Sequence, residues 1–253
     1  MSENKGRSLK IIIDHLSAKA QRRAGLYSRQ NPLTWAFESM KNRGLRETFG
    51  SVVRVVVDVG FDIRYGTDTV RWVEINALSF ESEHKKDGFA YIPSPVNPLR
   101  TLLGKLGLPK DGVFIDLGSG KGRVLLIAAQ SGFQRIIGVE FSPELCEIAR
   151  ENVKVFLRKT QSNAQLEVIE TDAATFPIDG KYNVFFMYYP FGKVVLARFL
   201  ANLRSSLMRF PRKIWLIYNN PVDDEVIGGF KLFSASQEFR FSGAPFPFRV
   251  YQN

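Results

Sequence analysis

The run Val113-Phe114-Ile115-Asp116-Leu117-Gly118-Ser119-Gly120-Lys121-Gly122-Arg123 constrains this chain more than any other stretch, because a short apolar segment empties there into a glycine-rich turn. Residues 113–115 read as a buried strand, and residues 125–129 are apolar on every side, as in a helix packed against a sheet. Glycines let such a turn bend tightly and let a ligand approach its backbone, while the free N–H groups of the helix start face that ligand. Spacing separates the possible ligands. A P-loop needs Gly-x-x-x-x-Gly-Lys-Ser/Thr, but Ile115 stands at the first glycine position and Gly122 at the hydroxyl position. A dinucleotide turn needs Gly-x-Gly-x-x-Gly, whereas here Gly118, Gly120 and Gly122 alternate behind Asp116.

The segments downstream repeat one plan. Residues 135–141 form a second apolar strand ending in Glu140, which lies 22 residues beyond Gly118, about where a carboxylate receives ribose hydroxyls. Ser142-Pro143-Glu144 starts a helix with a capping serine, and Leu145, Ile148, Ala149, Val153 and Phe156 give it a buried stripe. Residues 165–170 form a third strand before Asp172-Ala173, residues 182–188 a fourth before Tyr189-Pro190-Phe191, and residues 213–218 a fifth before Asn219-Asn220. A helix covers residues 196–210, and residues 231–241 and 248–251 read as a terminal antiparallel hairpin. Five alternations of strand and helix predict an α/β fold, a mostly parallel sheet with helices on both faces.

Upstream, residues 9–24 suggest a basic amphipathic helix and residues 33–42 a second. Residues 52–59 are β-branched and ambiguous, and residues 61–69 look like an ordered loop. Residues 1–90 thus read as a helical N-terminal cap and residues 91–253 as the main domain, entered through Tyr91-Ile92-Pro93 and residues 96–106, a helix. Net charge is +10, and residues 1–50 hold ten Lys/Arg against four Asp/Glu, so a nucleic acid, an anionic surface or an acidic protein is an expected partner. A solvated helical face accounts for the same charges. The lone Cys146 forbids an internal disulfide, and with only His15 and His84 as imidazoles no metal is expected. The absence of a long apolar run or signal peptide predicts an intracellular, cytoplasmic protein with no membrane span.

Asp116-x-Gly118-x-Gly120-x-Gly122, Glu140 and Asp172-Ala173, in this order and spacing, resemble the class I, Rossmann-like methyltransferases dependent on S-adenosyl-L-methionine (SAM). Tyr91-x-Pro93, residues 114–123, Gly138-Val139-Glu140-Phe141-Ser142 and Arg64-Tyr65-Gly66-Thr67-Asp68-Thr69 resemble, more narrowly, a bacterial branch related in its core to histone and ATP-synthase-subunit lysine methyltransferases. The resemblance implies a seven-stranded sheet and SAM as cofactor. It implies that Gly118, Ser119, Gly120 and Gly122 pass under the methionine and ribose and that Asp116 orients the loop or the amino group. Glu140 would hold the ribose hydroxyls, Phe141 stack on adenine, Asp172 with Ala173 receive the adenine amino group, and Tyr91 touch the methionine end. At the acceptor side the candidates are Tyr188, Tyr189 and Phe191, with Asn219 or Asn220. Tyr189 stands where relatives place Asn or Asp, so the acceptor expected from the resemblance, a protein lysine, is joined by RNA and small molecules as alternatives. A non-catalytic SAM- or nucleic-acid-binding module is the third reading.

Overall fold

The computed structural model describes residues 45–71, 73, 91–242 and 244–253, with side chains from residue 53 onward. The helices expected over residues 9–24 and 33–42, and both histidines, lie outside the described residues.

Seven strands form one sheet in the order β3-β2-β1-β4-β5-β7-β6. The strands are β1 (Val113–Leu117), β2 (Arg135–Glu140), β3 (Gln165–Glu170), β4 (Tyr182–Tyr188), β5 (Trp215–Asn219), β6 (Ala235–Phe239) and β7 (Phe248–Gln252). The first five pair in parallel, and β7 pairs antiparallel with both β5 and β6. The α/β expectation holds, terminal hairpin included. The chain order reverses at β1, so the carboxyl ends of β1, β2 and β4 flank the crevice where such sheets bind ligands.

The alternation of strand side chains builds two cores. Phe114, Phe186, Ile217 and Phe248 face one side, covered by α2 (Val96–Lys105), α3 (Arg123–Gln130) and α4 (Pro143–Thr160). Ile115, Leu117, Phe185, Met187, Leu216 and Tyr218 face the other, where α5 (Lys193–Arg209) and α6 (Asp224–Phe230) lie. The local signals for α4 act as its sequence suggests: Ser142 Oγ accepts from Leu145 N at 3.3 Å, Pro143 occupies the first turn, and Gln161 closes the helix in a left-handed conformation.

Residues 45–65 depart from their sequence reading. Residues 45–65 form a single helix, α1 (Leu45–Tyr65), so the ambiguous β-branched run and the start of the supposed loop are both helical. Asp58, Phe61, Asp62 and Tyr65 recur at helical spacing and turn towards α2 and α4. Phe61 is 5% exposed and belongs to the first core. Burial of that stripe outweighs the weak helix preference of the valines.

Candidate active site

The glycine turn is held by its neighbours before any ligand is considered. Gly118 N and Ser119 N both donate to Val139 O, at 2.8 and 3.0 Å, which staples the turn to the end of β2. Gly118 and Gly120 adopt φ of 71° and 53°, a region that side chains rarely enter. A Cβ on Gly118 would lie 2.2 Å from Pro190 Cβ, and one on Gly120 would lie 2.1 Å from the Tyr91 ring. The glycines therefore admit Pro190 and Tyr91 to the turn, a use beyond the tight bend and ligand approach that the sequence suggests.

Glu140 is 4% exposed and braces the turn. Its Oε2 accepts from Gly120 N at 2.8 Å, and its Oε1 accepts from Phe141 N and Ser142 N at 3.0 Å. Burial raises its carboxyl above the ordinary value and those backbone donors pull it back. Asp116, at the end of β1, is 2% exposed with Oδ2 unpartnered; burial, and then the charge of Glu140, push its carboxyl well above the usual carboxylate range. Ser119 Oγ is also buried without a partner.

Around the turn opens a cleft of about 900 Å³, its mouth included. Of the expected cofactor residues, Tyr91, Asp116, Gly118, Ser119, Gly120, Glu140, Phe141, Asp172 and Ala173 line it. Gly122 does not; its α-carbon faces Ala149 of α4, where an added Cβ would lie 3.3 Å from the Ala149 Cβ. Asp172 Oδ1 accepts from Ala174 N at 2.7 Å, fixing the turn after β3. Of the acceptor candidates Tyr188 and Phe191 line the cleft, and burial pushes the Tyr188 hydroxyl up to about 12. Tyr189 is not among the lining residues. It takes φ 38°, packs against the second core, and sits near Asp223 and Lys193.

Behind the cleft lies a buried ionic lattice that no single segment announces. Arg123, 1% exposed, places Nη1 3.3 Å from Asp58 Oδ2, donates from Nε to Thr69 Oγ1 at 2.8 Å, and reaches Ser94 O at 3.3 Å. Lys121, fully buried, lies 3.6 Å from Asp68 and 5.5 Å from the centre of the Tyr91 ring. Asp62 accepts from the hydroxyls of Thr67 and Thr69 and from Thr69 N and Val70 N, all at 2.7 Å. Tyr91 Oη donates to Thr69 O at 2.8 Å, so the loop after α1 fixes the ring that lies on Gly120. Arg123 also lines the cleft. Its sequence signal was an arginine amid apolar residues at a helix start, since a buried guanidinium must find a carboxylate.

Residues 114–209 match the family model described as "Methyltransferase domain". Over that stretch the chain is similar to a methyltransferase domain. The matched stretch runs from β1 to the end of α5 and holds the glycine turn, Glu140 and the strand ends that line the cleft. Ribosomal protein L11 methyltransferase from Thermosipho africanus (strain TCF52B) is 24% identical over 126 residues, covering 50% of this chain and 44% of that protein. The chain thus spans less than half the length of this curated relative. Among solved structures, a Nostoc punctiforme PCC 73102 protein proposed to be an O-methyltransferase is similar in fold, with TM-score 0.51 and 14% identity over 64% of this chain and 57% of that one. An RNA methyltransferase of Salinibacter ruber in complex with S-adenosyl-L-homocysteine aligns with TM-score 0.43 and 21% identity, over 64% of this chain and 92% of that one.

Proposed function

We propose that this chain transfers a methyl group from SAM to an amine nitrogen of a protein, with lysine as the acceptor side chain. The observation that carries the reading is the single cleft shared by the strand ends. Its β1, β2 and β3 side presents carboxylates and an aromatic ring, and its β4 side presents Tyr188, Pro190 and Phe191. The first side fits the cofactor. Asp116 Oδ2 and Ser119 Oγ are buried polar atoms without a partner, and a ligand carrying amine or hydroxyl groups answers both. A carboxylate offers roughly four acceptor positions. Glu140 uses three on backbone N–H groups, which leaves one for a ribose hydroxyl. Phe141 offers its ring to adenine, Asp172 and Ala173 close the far end, and Tyr91, held on Gly120, covers the methionine end.

When bound, SAM supplies a methyl already activated on a sulfonium, so the protein's part is placement and exclusion of water. Asp116 and the glycine turn fix the donor. Tyr188 and Phe191 shape the approach from β4, and an acceptor amine arriving neutral needs no strong base. The protein-directed part of the reading draws on the narrower resemblance and on the name of the L11 methyltransferase relative. RNA is the second reading, favoured by the six-charge surplus of Lys/Arg over Asp/Glu in residues 1–50.

Tritium transfer from labelled SAM into a lysate, treated afterwards in parallel with protease and with ribonuclease, tests both. Label removed by protease and found on lysine is the expected outcome. Label that resists protease and disappears with ribonuclease makes RNA the acceptor.

A further inference from the structure

One buried side chain at the carboxyl edge of the sheet has no structural reason to be polar. Asn219 ends β5, is 1% exposed, and neither Oδ1 nor Nδ2 has a hydrogen-bond partner. Leaving a buried amide unsatisfied is costly, so an asparagine kept there needs a use that the empty fold does not supply. Its strand partners locate that use. Asn219 stands beside Tyr188 of β4 and Phe248 of β7, on the sheet face that carries Phe186 and Ile217. Asp116 of β1 belongs to the same face, beside Phe186 of β4, so two buried groups without hydrogen-bond partners, Asp116 Oδ2 and the Asn219 amide, lie on either side of the β4 end that carries Tyr188. The proposed cofactor site occupies the opposite direction, from β1 towards β2 and β3.

The segment before β7 borders this end. Asn220 N donates to Pro247 O at 3.0 Å, which lays the segment before β7 across the end of β5. Next to it Phe246, 41% exposed, meets the Tyr188 ring edge-on with centroids 6.3 Å apart. Tyr188 itself lines the cleft, so Asn219 stands one strand behind the cleft wall, as the β4 to β5 register places it.

We propose that Asn219 recognises the methyl acceptor, its carboxamide receiving an N–H and donating to an oxygen of the substrate group that enters beside Tyr188. This rests on the methyltransferase reading above and assigns the acceptor side to β4 and β5. An uncharged group with both a donor and an acceptor, such as the peptide amide next to a target side chain, satisfies both ends of the amide.

The test uses Asn219→Leu, which keeps the size and removes the orphaned polarity, and Asn219→Ala, which cannot overpack. Asn219→Leu is expected to melt about 2 to 4 °C higher than wild type if it relieves an unsatisfied amide. Both variants should bind SAM within about twofold of wild type while label transfer into the lysate falls at least about tenfold, the loss expected when a buried hydrogen-bonding pair goes unmade. Undiminished transfer in either variant overturns the assignment, as does a loss of SAM affinity equal to the loss of transfer. Wild-type protein that binds SAM yet labels nothing overturns the methyltransferase reading and the assignment with it. Wild-type transfer unaffected by the substitutions overturns Asn219 alone.

Discussion

At the scale of single residues the cleft is governed by what burial does to charge. Asp116 is harder to ionise in the folded protein than in the unfolded chain, because burial and then the Glu140 charge raise its carboxyl well above 3.8. The folded state therefore holds the extra proton. The stability contributed by the neutral acid is complete below the unfolded value and is lost as pH rises through the folded one. Asp116→Asn removes that titration. Without ligand, urea unfolding from about pH 4 to pH 8 should show the wild type losing stability relative to the variant as pH rises. Parallel curves would mean that Asp116 is ionised throughout and that another group compensates it. By contrast, burial pushes the Cys146 thiol up to about 12, which makes it an inert filler of α4, as its place in the helical stripe suggests.

At the scale of elements, the glycine turn depends on α1 and its following loop, which reach it through Arg123, Lys121 and Tyr91. Arg123→Ala leaves Asp58 buried without its guanidinium partner, holding only the N–H of Val96 at 3.1 Å, and breaking such a pair costs about 3 to 5 kcal/mol. Asp58→Asn in the same chain should return part of that loss. Urea unfolding of the single and double variants measures both, and a loss below about 1 kcal/mol would reduce the pair to a minor contact.

The same element marks where legibility in the sequence stops. The strands, the glycine turn, Glu140 and the terminal hairpin were readable because each has a local signature: an apolar run, a fixed spacing, a carboxylate at a strand end. Helix α1 lacked one, since Val52-Val53-Arg54-Val55-Val56-Val57 favours no period and only packing on α2 and α4 decides its form. The partners of Arg123 lie 29 to 65 residues away in sequence, beyond any local pattern. Short helix α6 went unread, preceded by the turn at Asn220-Pro221 and interrupted by two glycines of its own. Tyr188 and Tyr189 are neighbours in sequence, and only the register of β4 against β5 and the positive φ of Tyr189 separate the side chain lining the cleft from the one outside it.

At the scale of the whole molecule, the sheet divides labour along its carboxyl edge. The β2 and β3 end carries the groups that suit an adenosyl ligand, and the β4 and β5 end carries aromatic and amide groups that suit an acceptor. Among the described residues no helix is long and apolar enough to cross a membrane, and none of their His, Cys, Asp and Glu side chains cluster as a metal site would. The central claim is that the glycine turn and Glu140 together form a SAM site. Calorimetric titration with SAM of the wild type and of Glu140→Ala tests it most directly. Binding by the wild type and a loss of about 1 to 3 kcal/mol in the variant, roughly 5- to 150-fold in affinity, is the predicted result. SAM binding of equal strength in both proteins, or none in the wild type, would contradict it.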